Sequence, residues 1–232
     1  MEKPYIICHM VTSIDGRVTG DFLYRSDVAT ATEEYYRINR EYHADAYACG
    51  RVTMEGSFTG GFHPDLNEFK GQAVPSGDHI ADNSTGFYAV SFDRRGNVGW
   101  TTPKITDNDP GYGGAHIIEI VTAECPTEYL AYLRSIGVSY IIAGDNDTDI
   151  PLALDKLYRH FGIKKLLLEG GSIINGAFQR ENLVDELSIV VAPVTAAKND
   201  KPLFMDGMEQ CFSLVDMQKL NGSAVWLNYK RI

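Results

Sequence analysis

Cysteine is scarce in this chain, and its few copies have no metal-binding or redox arrangement. The 232 residues include 4 cysteines, with no Cys-x-x-Cys pair and no histidine at zinc-finger spacing from any of them. Cys8 and Cys49 lie inside apolar runs, where a free thiol behaves as a small buried side chain. We therefore expect no metal ion, no disulfide framework and a reducing, cytoplasmic compartment.

Excess positive charge and long apolar runs are also missing. The formal net charge is -10, which argues against a general nucleic-acid binder because phosphate contacts need a positive face. No apolar run approaches membrane-spanning length, and residues 1–7 show no basic region followed by a long apolar stretch. The expected partner is a small molecule, with neither nucleic acid nor a membrane involved.

The chain has an ordinary globular composition, 44% hydrophobic and 22% charged, in which short apolar runs alternate with helical patterns. Most runs are apolar throughout, as expected for strands that are covered on both faces. The first six predicted strands are residues 5–11, 46–49, 87–92, 116–121, 140–143 and 166–168. The helix signals between them are a capping box of Thr30 with Glu33 before residues 34–42, then Pro126 with Gly137, then Pro151 with Gly162. This alternation predicts a largely parallel sheet with helices on both faces.

The carboxyl end changes character, because strands follow one another there without helices between them. These strands are residues 187–192, 212–220 and 224–230. Asn221-Gly222 between the last two is a strong signal for a two-residue turn, so we expect an antiparallel edge hairpin. The outward side chains of the last strand are apolar: Val225 or Trp226, Leu227 and Tyr229. A homodimer would cover them, and the alternative is that helices of the same chain do so.

One long segment, residues 59–86, is rich in Gly, Pro, Asp and Asn and has no periodicity. Such a length is unusual for a loop in a compact domain and is typical of a functional flap or a mobile insertion. No stretch of the chain has the character of a linker between domains. Residues 1–232 are therefore predicted to form one domain.

The strongest candidate site is a glycine turn after a buried strand. Glu169-Gly170-Gly171-Ser172 follows that strand, and residues 173–180 have a helical pattern. Glycines let a phosphate approach the backbone closely, and the free N–H groups of a first helical turn can hold it. The alternative is an ordinary tight turn with Ser172 as the N-cap. Glu169 favours a site, because a carboxylate at the end of a sheet has to be solvated or used.

Three weaker candidates also follow predicted strands, and they carry groups suited to binding phosphate or lining a pocket. They are Gly50, Arg51 and Thr53 at the start of a short helix, Arg94 and Arg95 in a basic turn, and Ser13 and Asp15 in the turn Ser13-Ile14-Asp15-Gly16-Arg17. Each also has an ordinary interpretation, respectively a capped helix, a solvated pair of arginines and a plain turn.

Together these motifs resemble the reductase domain of the bifunctional deaminase–reductase of riboflavin biosynthesis, in the dihydrofolate-reductase-like superfamily. The matching segments run in the same order through nearly the whole chain: Ser13 to Arg17, Asp45-Ala46 to Gly50 and Thr53, Glu169-Gly170-Gly171, Leu183-Val184-Asp185-Glu186 and Ala192-Pro193. The edge hairpin closes the pattern. The resemblance implies a three-layer dihydrofolate-reductase-like α/β fold. It also implies NADPH-dependent reduction of a ribosylamino-pyrimidine phosphate, as in 5-amino-6-(5-phosphoribosylamino)uracil reductase.

The same resemblance implies roles for individual residues. The cofactor-binding set is Gly50, Arg51, Thr53, Arg94, Arg95, Gly170, Gly171, Ser172, Ile173 and Ile174. Within it, Arg94 and Arg95 would bind the adenosine 2′-phosphate, so NADPH is favoured over NADH. Glu169 would face the substrate beside the nicotinamide, where Glu169 or Asp15 could stabilise a protonated imine by charge. Ser13 would also contact the substrate.

Three segments on the substrate side depart from the family pattern. Residues 24–29 replace a Ser-x-Trp-Ile segment without any tryptophan, Ser57 stands where the family has aspartate, and residues 194–198 replace a glycine-rich loop. The zinc deaminase motifs are missing, so we expect the reduction alone. Two alternatives remain, a dihydrofolate reductase and a nucleotide-binding module without turnover. The lack of proline and tryptophan between Pro4 and Met54 argues against the first.

Overall fold

The computed structural model describes residues 2–81 and 85–232, which contain nine β-strands and five α-helices. The strands are β1 Tyr5–Thr12, β2 Ala46–Gly50, β3 Tyr88–Phe92, β4 His116–Val121, β5 Ser139–Ile142, β6 Lys165–Leu168, β7 Glu186–Val191, β8 Phe212–Lys219 and β9 Val225–Arg231. The helices are α1 Ala29–Glu41, α2 Arg51–Met54, α3 Thr127–Ser135, α4 Ile150–Phe161 and α5 Ser172–Arg180. All the predicted strands are confirmed, with ends that shift by one residue at most.

The chain divides into two compact units. One is built mainly from Asp45–Leu166, and the other from Tyr5–Ala44 together with Leu167–Ile232. The predicted fold class is confirmed, because the architecture is three-layer α/β with mostly parallel strands and antiparallel strands at the carboxyl end. The single domain expected from the sequence stays a prediction.

The first unit contains four parallel strands in the order β5-β4-β3-β2. Every side chain of β3 and β4 is buried, which explains why these strands are apolar on both faces. The predicted helix signals are confirmed here. α3 follows Pro126, and α4 ends at Gly162 in the left-handed conformation, with φ 67°. Asp149 caps α4 by accepting a hydrogen bond from the Leu152 N–H at 2.9 Å.

The described part of the long segment 59–86 belongs to this first unit and lies along the edge strand β5. Asp78 accepts a hydrogen bond from the Ile142 N–H at 2.9 Å, and His79 forms two backbone hydrogen bonds with the same strand. Residues 82–84 lie outside the described residues. The described part of the segment therefore covers strand groups that would otherwise be an open edge.

The second unit places β1 beside β7 in parallel, and β9 and β8 follow in antiparallel order. α1 packs on β1 and β7 through an apolar cluster. Its buried members are Phe22, Val28, Ala31, Tyr35, Ile38, Val190, Ala192, Leu220 and Ala224. Burial stabilises each of the larger side chains by about 1.5–3 kcal/mol, so this cluster fixes the helix firmly on the sheet.

The predicted capping box at the start of α1 is wrong. The helix begins at Ala29, so Thr30 lies inside it, and no side chain among the described residues caps its amino end. Val28, the residue before the helix, already has helical backbone angles and is buried in the apolar cluster. Packing of Val28 therefore starts the helix earlier than the local capping pattern indicates.

The predicted two-residue hairpin between β8 and β9 is also wrong in length. The turn is Asn221–Ser223, and both Gly222 and Ser223 have positive φ, 64° and 60°. Gly222 lies so close to α1 that a Cβ added there would stand 2.7 Å from the Thr30 Cβ. The shape of the turn thus depends on a contact with a distant helix, which a local sequence signal does not contain.

All four cysteines lie in the described residues and none forms a disulfide; Cys8, Cys49 and Cys125 are buried and Cys211 is exposed. Within residues 2–81 and 85–232, no group of three or more His, Cys, Asp or Glu side chains is arranged to hold a metal ion. In the same residues no helix combines the length and apolar character needed to cross a membrane.

Candidate active site

The glycine turn after β6 leads directly into α5, in the second unit. Gly170 has φ +90°, and the peptide bond between Gly170 and Gly171 is cis. Gly171 is the residue before the helix, and in the described part of the chain no side chain caps the amino end of α5. The N–H groups of a first helical turn have no partners within the helix, so these groups are available to an anion. Ile173, in that first turn, is 64% exposed, which shows that this helix end is open.

The interpretation of Ser172 as an N-cap is wrong. Gly171 takes the position before the helix, and Ser172 is its first residue. The Ser172 hydroxyl donates instead to the carbonyl oxygen of Pro202, and its side chain is buried. Ser172 therefore ties the helix to the segment that follows β7 and leaves the backbone N–H groups uncovered.

Close packing and backbone conformation both favour glycine at position 170. A Cβ added to Gly170 would lie 3.1 Å from Met10 Cε and 3.2 Å from Met10 Sδ. The backbone at φ +90° is also one that side chains other than glycine rarely adopt. Glycine at this position, the uncapped helix and the exposed first turn together fit the pyrophosphate of a dinucleotide cofactor.

Glu169 is a buried carboxylate at the start of the same turn, with 6% of the residue exposed. Its Oε1 accepts a hydrogen bond from Asn39 Nδ2 of α1 at 2.7 Å. Burial and the nearby Glu169 charge raise the pKa of the Cys8 thiol on β1, so that thiol stays protonated at neutral pH. Glu169 therefore brings a carboxyl group, hydrogen-bonded to Asn39, to the turn that leads into α5.

The turn after β1 is held together by Asp15. Its Oδ1 accepts hydrogen bonds from the Ala196 N–H at 3.0 Å and from the Ser13 hydroxyl at 2.7 Å. These two bonds lower the pKa of Asp15, so its carboxylate is ionised at neutral pH. The Ser13 oxygen in turn accepts a hydrogen bond from the Arg17 N–H at 2.9 Å. Ser13 and Asp15 thus shape the turn, and their contact with a substrate stays a prediction.

The segment after β7 connects this turn to the start of α5. The Ile14 N–H donates to the Val194 carbonyl at 2.8 Å, and further along the Asn175 amide donates to the Leu203 carbonyl at 3.3 Å. Ser13, Asp15, Glu169 and the glycine turn therefore lie within one unit, joined by a shared segment. The departure from the family pattern at residues 194–198 falls on this segment.

The remaining predicted residues lie in the first unit, at the carboxyl ends of two neighbouring strands. Gly50 of β2 pairs in register with Phe92 of β3, so the turns that follow both strands start side by side. α2 begins directly after Gly50 with Arg51, and Thr53 lies within it. Arg51 Nη1 donates to both carboxylate oxygens of Glu55, at 2.7 and 2.8 Å.

Arg94 and Arg95 project from a turn with a buried carboxylate at its base. Asp93, 3% exposed, accepts hydrogen bonds from the N–H groups of Asn97 and Val98. The two arginine side chains are 49% and 62% exposed and pair with Asp147 and Glu124 respectively. Exposed ion pairs of this kind contribute about 0–1 kcal/mol to stability, so a doubly charged phosphate can replace the two carboxylates as the partner of the arginines.

Sequence reasoning missed Asn39, the hydrogen-bond partner of Glu169. Its signal is present in the chain, because Asn39 is a polar residue on a helix face otherwise marked by Tyr35, Ile38 and Tyr42. Sequence reasoning also missed Asp93, which precedes the two arginines and organises their turn. Both residues serve the site through other side chains or backbone groups.

Comparison with known proteins identifies the family. Fold and site together define a three-layer α/β protein with an open helix start behind a double-glycine turn. The chain belongs to the RibD C-terminal domain family, whose model matches residues 92–224.

Two similar relatives are named 2,5-diamino-6-ribosylamino-4(3H)-pyrimidinone 5′-phosphate reductase. The relative from Methanothermobacter thermautotrophicus is 34% identical over 212 residues, which cover 88% of this chain and 85% of that protein. The relative from Aquifex aeolicus is 28% identical over 220 residues, which cover 89% of this chain and 84% of that protein. The predicted family and the predicted enzyme class, a reductase, are confirmed.

Solved structures support the same fold. A pyrimidine reductase-like protein from Corynebacterium diphtheriae is 18% identical, with a TM-score of 0.70 over 99% of this chain and 92% of its own. RibD from Acinetobacter baumannii is 21% identical, with a TM-score of 0.68 over 99% of this chain and 58% of its own. At these identities the likeness concerns the fold alone.

Proposed function

We propose that the protein reduces 2,5-diamino-6-ribosylamino-4(3H)-pyrimidinone 5′-phosphate with NADPH to the ribitylamino product. The observation that carries this proposal is the open start of α5 behind Gly170 and Gly171, with the buried Glu169 fixed at the same turn. The relatives matched over most of their length carry the name of this substrate. We therefore favour it over the uracil form that the sequence resemblance implies.

The bound cofactor supplies a hydride from the nicotinamide C4. The ribosylamino group accepts it at the sugar carbon in its protonated imine form, and the electron pair of the C=N bond passes to the positively charged nitrogen, which gives the neutral amine. The N–H groups of Ser172, Ile173 and Ile174 hold the pyrophosphate. The Glu169 carboxylate stabilises the positive charge of the protonated imine, and Asp15 adds a second negative charge from the turn after β1.

The preference for NADPH rests on the turn that carries Arg94 and Arg95. Two exposed guanidinium groups project from a turn held by Asp93, which suits the adenosine 2′-phosphate. Arg51 and Thr53, on α2 after the neighbouring strand, are proposed to add phosphate contacts. Because Arg94, Arg95 and Arg51 are each paired with an acid, the phosphate exchanges weak surface pairs for stronger charge-assisted bonds.

A homodimer in the cytoplasm completes the proposal. The residues predicted to face outward on β9 are partly buried, so they do not form an exposed apolar surface. The edge strand β8 does, because its side chains Leu214, Val215 and Met217 are 53%, 55% and 63% exposed. A second copy across this edge would cover the three side chains and pair the free backbone groups of β8.

Steady-state oxidation of NADPH tests the proposal with two substrates, the diamino-pyrimidinone ribotide and the corresponding uracil. The two differ in one ring substituent, an amino group in place of an oxygen. We expect a higher kcat/KM for the diamino compound. A preference for the uracil would correct the substrate, and oxidation with dihydrofolate alone would contradict the proposal.

A further inference from the structure

The buried face of α1 carries two polar side chains, and each bonds to a different part of the second unit. Glu34 accepts hydrogen bonds from Arg37 of the same helix and from Asn221 of the hairpin. Asn39 is 4% exposed and donates to Glu169, which lies 130 residues further along the chain. The first contact anchors the helix to the sheet edge, whereas the second reaches the candidate site.

We propose that Asn39 is a positioning residue, whose amide fixes the Glu169 carboxylate at the glycine turn and keeps it ionised. This inference rests on the proposed function, because it assigns Asn39 a task in stabilising charge beside the nicotinamide. Asn39 acts through Glu169 and is not itself placed against the substrate.

The surroundings of Glu169 explain why such a donor is needed. A buried carboxylate loses its hydration, which favours the neutral acid unless a hydrogen-bond donor replaces the water. Met10 and Cys8 of β1 lie at this corner and offer a thioether and a protonated thiol. The Asn39 amide, 2.7 Å from Oε1, is a donor of the required strength because bonds to charged acceptors are the strong ones.

The position of the amide is fixed by the packing of the end of α1. The Tyr42 hydroxyl, just after the helix, donates to Glu186 Oε1 of β7 at 2.9 Å. A ring nitrogen of His9 lies 3.0 Å from the Tyr35 carbonyl oxygen, one turn before Asn39. The two rings of His9 and Tyr35 are also stacked, with centroids 4.3 Å apart. A helix held at both points presents the Asn39 amide in one place.

Helix propensity does not explain an asparagine at this position. Asparagine is less favourable in a helix interior than leucine by a few tenths of a kcal/mol, and its buried amide needs partners. Leucine has a similar size and would satisfy the packing requirement alone. The bond to Glu169 gives a polar side chain at this buried position a hydrogen-bond partner.

Three variants separate positioning from support of the fold. Asn39→Leu removes the donor and keeps the volume. Asn39→Asp keeps the shape and places a second carboxyl group against Glu169, so two negative charges repel each other until one group takes up a proton. Asn221→Leu is the matched control, because it removes an amide-to-carboxylate bond of 2.6 Å onto the same helix, at Glu34.

Activity and binding are measured for each variant together with thermal stability. For Asn39→Leu we expect kcat to fall at least tenfold, with the Kd for NADPH within twofold of the parent. For Asn39→Asp we expect a larger loss at pH 7.5 and partial recovery towards pH 5, where one carboxyl group is protonated. Asn221→Leu should lower the melting temperature with little change in kcat. If kcat falls equally in Asn39→Leu and Asn221→Leu, the inference is overturned.

A second readout does not depend on turnover. The protein is labelled with carboxyl-13C glutamate, and the Glu169 signal is assigned with Glu169→Gln and followed against pH. Cys8 is the neighbouring titratable group, and it stays protonated over this range. In Asn39→Leu the Glu169 titration midpoint should rise by on the order of one pH unit, the equivalent of one bond to a charged group. An unchanged midpoint would overturn the inference, whereas a shifted midpoint in a protein without turnover would refute only the proposed function.

Discussion

Substitution of Gly171 by valine tests the proposed cofactor contact most sharply. Gly171 has φ −71° and ψ −166°, an extended backbone conformation that residues other than glycine also adopt. Valine is a poorer residue before a helix, so we expect a stability loss on the order of 1 kcal/mol, which lowers the melting temperature by about 2–4 °C for a protein of this size. α5 should therefore still form.

The same substitution should act strongly on NADPH. Because Gly171 directly precedes α5, we expect a branched side chain there to crowd the first-turn N–H groups and to displace the pyrophosphate from at least one of them. A charge-assisted hydrogen bond contributes about 1.5–3 kcal/mol, which corresponds to a rise in Kd of about 10- to 150-fold. Fluorescence titration of the folded variant with NADPH measures this rise.

The neighbouring glycine provides a contrasting control. Gly170→Ala forces an alanine to φ +90° and brings a Cβ to 3.1 Å from Met10 Cε. This variant should lose about 1–3 kcal/mol of stability, because the strain lies in the backbone itself. If Gly171→Val is folded and binds NADPH as tightly as the parent, the phosphate contact at α5 is refuted.

Three further predictions follow from the charged groups and the sheet edge. The double variant Arg94→Ala/Arg95→Ala should bind NADPH less tightly by about 1.5–3 kcal/mol, with its affinity for NADH unchanged. Equal losses of affinity for both cofactors would mean that the arginines support a feature common to both complexes, such as the fold. Burial lowers the pKa of His9 from 6.5 to about 4. As the pH falls, the unfolded chain therefore takes up a proton on His9 before the folded protein does. The free energy of unfolding should then decrease by about 3 kcal/mol between pH 6.5 and pH 4. Thermal unfolding should show a shallower slope in His9→Gln than in the parent, with some slope remaining because burial also lowers the pKa of His116 to about 4. Parallel curves for the two proteins would refute the prediction. Light scattering at micromolar concentration should give twice 25.7 kDa, and a single-chain mass would exclude the dimer.

The strands and most helix ends could be predicted because their signals are local. β3 and β4 are apolar throughout because both faces are buried, and Gly162 ends α4 because glycine accepts a positive φ. The predictions that failed concern places where contacts with a distant part of the chain determine the local structure. Val28 starts α1 because it packs into a cluster with β7, and the turn at Gly222 is shaped by its contact with Thr30.

The residues of the candidate site also separate into those with a local sequence signal and those whose role depends on distant contacts. The Glu169-Gly170-Gly171 turn is continuous along the chain, so its residue pattern alone predicts a ligand-binding turn. Asn39 is different, because its role depends on a hydrogen bond across 130 residues. The segment 59–86 has no periodic pattern, and its described part covers β5 through hydrogen bonds of Asp78 and His79 with that strand. Contacts of this kind are set by the fold rather than by neighbouring residues.

Transfer of a deuterium label tests the central claim most directly. The protein is incubated with the diamino-pyrimidinone ribotide and NADPH that carries deuterium at the nicotinamide C4, and the product is analysed by mass spectrometry and NMR. We expect one deuterium on the sugar carbon bonded to nitrogen, in a ribitylamino product formed in a ratio of one to the NADPH consumed. If the protein binds NADPH and forms no labelled product from either pyrimidine ribotide, it is a nucleotide-binding module and the proposed reduction is contradicted.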